Sequence, residues 1–245
     1  MCNDNRAKVV KGEAMSMQEK KVLKRLQHLC KAFGEYETNC YIVQSEQGEF
    51  IIDPGMGSAQ WVLESSPNPL AILLTHGHFD HIFDVAKIKQ ARPEIPLYCP
   101  RDDSFMLESD CFGTGLMPYE FSANDVLVSC DKGRSEFVLG GVEVSYLHFP
   151  GHTPGCSAVC LSQRDSAGRI QKSSMYSGDF VFKRSIGRYD FPYSSPSDMR
   201  DSLQRFGALG AQEFGGADIE IFPGHGESTY LSYEQSNVAL WLPRI

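Results

Sequence analysis

Three imidazoles and a carboxylate fall within six residues of the chain, in the run Thr75-His76-Gly77-His78-Phe79-Asp80-His81. The run follows directly on Leu70-Ala71-Ile72-Leu73-Leu74, an apolar stretch that reads as a buried strand, with Pro69 before it and the polar cluster after it. A strand that ends in a tight group of nitrogen and oxygen donors is a place to grip a metal ion. The cluster contains no cysteine, which argues against a closed structural zinc site of the Cys-rich kind. The expected chemistry is that of a metal-dependent enzyme working at the carboxyl end of a sheet.

Three further donors sit at strand ends downstream. His152 lies in Phe149-Pro150-Gly151-His152-Thr153-Pro154-Gly155, Asp179 in Ser177-Gly178-Asp179, and His225 in Phe222-Pro223-Gly224-His225-Gly226. Each is flanked by glycine, which lets the backbone turn sharply and approach closely. Five of the seven histidines fall in these four segments, while His28 and His148 lie inside strand-like runs and read as packing or surface residues. Taken singly, a His or Asp at a strand end can cap a helix or satisfy loop backbone. Seven such residues in four segments are not explained that way. Cys156 reads as a small buried thiol rather than a ligand. Thr75 and Thr153 are expected to hold the ligands through hydrogen bonds.

These donors need a frame. A strand is expected from about residue 27, although Val22, Leu23, Leu26, Leu29, Cys30 and Phe33 also fit a helix stripe. Cys40 to Val43 and Phe50 to Ile52 read as strands joined through Gln47-Gly48, with Asp53-Pro54-Gly55 as a closing turn. A short helix is expected over Ser58 to Leu63, a strand over 70–75, and helical spacing at Ile82, Val85, Ala86 and Ile88. Pro96 to Cys99 reads as a strand and Asp102 to Leu107 as a short helix. Residues 109–124 form an irregular loop with an apolar face, a candidate lid. Phe137 to Val144 is a hairpin centred on Gly140-Gly141. Strands follow at Ser157 to Leu161, Ser173 to Tyr176 and Asp218 to Phe222. A helix starts at Pro196 with Ser195 as N-cap and runs to about Leu209, and a last helix spans Tyr230 to Leu242. Strands and helices alternate in both halves, so the class is α/β or α+β with layered sheets.

Composition narrows the partners. The 245 residues carry 23 basic and 31 acidic side chains, a net charge of −8, which argues against broad binding to a phosphate backbone. No apolar run approaches the length of a membrane span, and the Lys-rich stretch Met1 to Lys31 has no apolar core of a secretory signal. The eight cysteines are scattered without a CxxC pair, which suits reduced thiols. The expectation is a cytoplasmic protein with a loose N-terminal extension over 1–25 and one domain over 26–245.

In their order, His76-x-His78-x-Asp80-His81, His152, Asp179 and His225 resemble the pattern of the metallo-β-lactamase superfamily, over about residues 35 to 240. Several local strings look most like the glyoxalase II-type hydrolases, in particular their small bacterial forms. They are Thr38-Asn39-Cys40-Tyr41, Asp53-Pro54-Gly55, Gly151-His152-Thr153-Pro154-Gly155, Ser177-Gly178-Asp179, Ser185-Ile186-Gly187-Arg188-Tyr189-Asp190-Phe191-Pro192 and Pro223-Gly224-His225-Gly226. The resemblance implies an α+β fold, a four-layer αβ/βα sandwich of two packed mixed β-sheets with helices on the outer faces. It implies two divalent metal ions in a groove at the sandwich edge. One would take His76, His78 and His152, the other Asp80, His81 and His225, with Asp179 between them. Zinc is the expected metal, with iron or manganese suited to the same donors.

The activity implied is hydrolysis of a small-molecule thioester or ester, in the manner of hydroxyacylglutathione hydrolase acting on S-lactoylglutathione, with Asp80 orienting the attacking hydroxide. One departure concerns the substrate. Full-length glyoxalase II has a C-terminal helical domain that supplies basic residues to glutathione, whereas about 20 residues follow His225 here and Arg244 is their only basic side chain. Arg188 is the remaining candidate for a substrate carboxylate, and Tyr189 a candidate pocket residue. Two other readings share the ligand set. A persulfide dioxygenase would use one iron on His76, His152 and Asp179, and a lactonase would use the same hydroxide on a ring ester. Nucleic acid and membranes are not expected partners.

Overall fold

Period-two alternation of large apolar residues, buried on both faces, decides the architecture. The computed structural model describes residues 26–115, 126–130 and 133–245. The expected extension over 1–25 and the 116–124 part of the expected lid lie outside the described residues.

The first sheet holds β1 (Gln27–Phe33), β2 (Thr38–Gln44), β3 (Glu49–Ile52), β4 (Pro69–Leu73), β5 (Leu97–Pro100) and β6 (Val126–Val128), in that spatial order. Its first three strands are antiparallel, and β3 to β6 run parallel. The second sheet holds β7 (Arg134–Leu139), β8 (Val142–His148), β9 (Ser157–Arg164) and β10 (Ile170–Gly178). A two-stranded ribbon, β11 (Val181–Phe182) with β12 (Ser185–Ile186), follows, and then β13 (Glu220–Pro223) and β14 (Thr229–Tyr230) complete the second sheet in the order β14-β13-β10-β9-β8-β7. The helices are α1 (Ala59–Ser65), α2 (Phe79–Ile82), α3 (Val85–Ala91), α4 (Pro196–Gly207) and α5 (Leu231–Trp241), with 3-10 turns at Arg101–Glu108, Ala211–Phe214 and Leu242–Arg244.

Alternate residues of one strand serve different layers. Tyr41, Val43, Phe50, Ile52, Ala71 and Leu73 face Val144, Tyr146, Val159, Leu161 and Tyr176 between the sheets. Their neighbours Cys40, Ile51, Ile72 and Leu74 pack outward on Val62, Val85 and Ile88 of α1 and α3. In the second sheet, Ala158, Cys160, Met175 and Ile221 pack outward on Met199, Leu203, Phe206, Val238 and Trp241 of α4 and α5. The layers are therefore helix, sheet, sheet, helix, the four-layer αβ/βα arrangement expected. No helix among the described residues is long and apolar enough to cross a membrane.

Most expected elements are present. The first segment is a strand, not a helix, because Gln27 to Phe33 pairs in antiparallel register with Gln44 to Thr38. Ser195 caps α4 by accepting the Asp198 backbone N–H at 3.3 Å. The Asp102 to Leu107 turn is a 3-10 helix. The parallel strand β6, the ribbon β11-β12 and the edge strand β14 are too short to carry a readable period.

His28 shows the packing role expected of it. Its ring stacks on Phe222 with centroids 4.6 Å apart, and Nδ1 is hydrogen-bonded to the Tyr176 hydroxyl at 2.6 Å. Burial, helped by the Lys172 charge, lowers it from 6.5 to about 4. Between those values the unfolded chain takes up a proton that the folded chain refuses, so stability present above 6.5 is lost as pH falls towards 4. The variant His28→Gln should lose less stability than the parent between pH 7 and pH 5, read as the shift in urea midpoint at each pH.

Candidate metal centre

The carboxyl ends of β4, β8, β10 and β13 meet at one edge of the sandwich, and each delivers donors. Beyond β4 the chain passes through Leu74 and Thr75 to His76, and His78 is the N-cap of the single-turn helix α2, with extended backbone at φ −66° and ψ 141°. His152 follows β8, Asp179 follows β10 and His225 follows β13. His76, His78 and His152 each bring a ring nitrogen within 4.8 Å of the others, and Asp80, His81 and His225 form a second such set. Asp179 touches both. Its Oδ2 lies 3.5 Å from His152 Nε2 and 3.4 Å from His225 Nε2, and its Oδ1 lies 3.3 Å from His81 Nε2. The structure thus brings together all seven residues named from the sequence.

Outer hydrogen bonds fix how the rings present themselves. His152 Nδ1 donates to the Arg188 carbonyl at 2.7 Å, and His225 Nδ1 to the Tyr36 carbonyl at 2.9 Å. His81 Nδ1 donates to Asp53 Oδ2 at 3.0 Å. Thr75 Oγ1 donates to the same Asp53 oxygen at 2.6 Å, so its own oxygen accepts from His76 Nδ1 at 3.0 Å. All four imidazoles therefore carry a proton on Nδ1 and turn Nε2 inward. Nε2 of His76, His78, His81 and His152, with Oδ1 of Asp179, are buried and have no hydrogen-bond partner. Buried lone pairs left in this way are costly unless something else binds them. A pair of divalent ions fits this donor set.

Charge follows the same division. Burial and the neighbouring imidazoles His81 and His78 hold His76 well below its usual range, and burial with His152 lowers His78 to about 3. Burial lowers His152 as well. These rings are neutral, as ligation requires. Burial would also lower His81 and His225. In His81 the carboxylates Asp80, Asp179 and Asp53 win and hold it well above its usual range, while Asp179 and Asp80 raise His225 to about 9. Burial would raise Asp80, but His81, His225 and the Thr38 hydroxyl, which donates to Oδ2 at 2.7 Å, bring it to about 2.

Three supporting groups were not singled out as such from the sequence. Asp53 reads there as a turn residue, and its partners Thr75 and His81 lie 22 and 28 positions away. Its backbone is left-handed at φ 49°, a conformation that Asp tolerates better than most residues. Although Asp53 lies near His76 and His81, both its oxygens are already bound to Thr75 and His81. Asp103 is fully buried and accepts from Gly77 N at 3.0 Å, Thr153 Oγ1 at 2.6 Å and Gly155 N at 2.5 Å. It ties the His76–His78 loop to the His152 loop, and burial raises it to about 6. Thr38 holds Asp80. Thr75 and Thr153 act as expected, and Cys156 is wholly buried outside both donor sets. Glycine is required beside Asp179, where a Cβ on Gly187 would overlap its carbonyl and one on Gly224 would overlap its Oδ1.

The donors floor a cleft of about 570 Å³ walled by Phe79, Phe112, Phe182, Ile186 and Phe191. Phe112 and Thr114, from the expected lid, line it. Arg188 stands on the rim, bound to Asp190 through Nε at 2.9 Å and Nη2 at 2.8 Å, with its guanidinium 4.1 Å above the Phe191 ring. Tyr189 is placed elsewhere. Its hydroxyl donates to the Arg244 carbonyl at 2.9 Å and its ring packs on the core beneath α4 and α5, so it does not shape this pocket.

Residues 33–225 match the profile of the metallo-beta-lactamase superfamily. The chain belongs to this superfamily. Within it, the hydroxyacylglutathione hydrolase GloC of Haemophilus influenzae is 29% identical over 208 residues, spanning 82% of this chain and 91% of GloC. The crystal structure of TTHA1623 in a di-iron-bound form is 30% identical, with a TM-score of 0.62, over 84% of this chain and 96% of that one. The BLEG-1 B3 metallo-beta-lactamase is 26% identical with a TM-score of 0.68, over 86% of this chain and 97% of its own.

Two outcomes follow. Asp53→Ala should weaken metal binding by about 10- to 100-fold, read by competition with a chromogenic chelator; an unchanged affinity would remove Asp53 from the support of His81. Loading the metal-free protein at pH 7 must displace a proton from His81, held well above its usual range, and one from His225, raised to about 9. Apparent metal affinity should therefore rise with pH from 7 through about 9, with proton release measurable by calorimetry in buffers of different ionisation enthalpy.

Proposed function

We propose that the protein is a hydrolase dependent on two divalent metal ions, zinc in the first instance, that cleaves a thioester of glutathione such as S-lactoylglutathione. The observation that carries this reading is the set of buried, inward-turned Nε2 atoms with Asp179 Oδ1, none with a hydrogen-bond partner, opening on a cleft with aromatic walls. In this reading His76, His78 and His152 hold one ion, Asp80, His81 and His225 the other, and Asp179 both. Divalent ions held there supply a water acidic enough to attack near neutral pH and a Lewis acid for a carbonyl oxygen.

The chain's own groups do the rest. Asp80 stays ionised and is braced by Thr38, so its carboxylate can accept a hydrogen bond from the attacking water and aim its lone pair. Phe79, Phe112, Phe182 and Phe191 exclude bulk water and hold the substrate beside the donors. Arg188 on the rim offers a cation to a substrate carboxylate, exchanging its contact with Asp190 for one with the ligand. A thioester suits the site because the thiolate departs with little protonation, and no histidine of the cluster is left free to act as a general acid. The likeness to GloC supports the substrate class.

Metal content and hydrolysis of S-lactoylglutathione should be measured on one preparation. Two metals per chain with turnover are expected, and Asp80→Ala should lower kcat by about 100-fold or more. One iron per chain with oxygen uptake on glutathione persulfide would replace this reading with the dioxygenase one. Two bound metals without thioester turnover would move it to a lactone or another ester.

A further inference from the structure

A second pocket of about 380 Å³ lies beneath the β1–β2 turn and meets the main cleft at the metal centre. Tyr36, Phe79 and Asp80 line both spaces. The Tyr36 and Phe79 rings meet edge to face, with centroids 5.5 Å apart, and form the partition. Behind it the walls are Phe33 and Met56, with the backbone of Gly34. The pocket has no cation among its lining residues, and its charged side chains are Glu35 and Asp80.

Charge separates the two halves of a glutathione thioester between these spaces. The glutathione half carries two carboxylates and one ammonium, a net negative charge that Glu35 would repel and that Arg188, across the main cleft, would attract. The acyl half is uncharged. Resting on the thioester hydrolase reading, we infer that the pocket of Phe33, Tyr36, Met56 and Phe79 receives the acyl chain, and that the substrates are thioesters of extended apolar acyl groups rather than of lactate alone. The volume accommodates a six-carbon or aromatic acyl group. Asp80 stands where the two halves join, which places the scissile carbonyl at the donors. A hydroxyl-bearing lactoyl group would leave most of this apolar surface unfilled, so binding strength should grow with each buried methylene.

The test is the series acetyl-, butanoyl-, hexanoyl- and benzoyl-glutathione with the metal-loaded protein. The ratio of kcat/KM for hexanoyl over acetyl should be about tenfold or more, and in Met56→Trp, which fills the pocket, it should fall towards one. A ratio near one in the parent overturns the inference while leaving the hydrolase reading standing. Binding is read separately. The Trp61 ring lies 5.5 Å from that of Phe33, so titration with neutral hexanamide should give a saturable fluorescence change that is lost in Trp61→Phe. Absence of that change overturns the pocket even if thioesters are cleaved. If no thioester is cleaved, the thioester reading falls, and the hexanamide titration still decides whether the pocket binds an apolar chain.

Discussion

Polar atoms turned inward and left without a hydrogen-bond partner in the protein are the constraint on which the rest of this structure depends. Each buried polar atom without a partner costs about 1–3 kcal/mol. Three of them in one place, Nε2 of the neutral rings His76, His78 and His152, stand against a typical net stability of about 5–15 kcal/mol. A fold can hold them only if the surroundings forbid the rings from turning away. The Asp53–Thr75–His76 chain, the Arg188 and Tyr36 carbonyls and the Asp103 clamp do this, and the two packed sheets hold those groups in turn.

The same constraint accounts for the backbone around the centre. Segments that carry ligands must come closer than side chains normally permit, so Gly187 sits against the Asp179 carbonyl and Gly224 against its carboxylate. Asp53 keeps a left-handed backbone while its carboxylate reaches Thr75 and His81. Strain of this kind persists where neighbouring contacts over-determine it.

Much of this was legible in the sequence because ligands and strand ends coincide. The apolar run 70–74 ending in the His-rich cluster, and the glycine-flanked His152, Asp179 and His225, state donor chemistry and position together. The alternation of strands and helices pointed to layered sheets of an α/β or α+β class, and the count of four layers was implied only by the family resemblance. What was not legible is what depends on distant pairing. Asp53 is a turn residue until Thr75 and His81 arrive beside it, and Asp103 looks like one of several acids in a helical turn until Gly77, Thr153 and Gly155 surround it. Tyr189 illustrates the converse. Its position beside Arg188 suggests a shared role, but Arg188 lines the cleft while Tyr189 turns to the helical layer.

Asp179 touches ring nitrogens from both donor sets, and those sets draw on both sheets. Ions held there would cross-link the two halves of the sandwich at its open edge, much as a rivet joins two plates. Demetallation would then loosen the seam between the sheets before it disturbed either outer helical layer. Opening of the protein and loss of its chemistry would be one event, with the metal-free chain splaying first at the mouth of its own cleft.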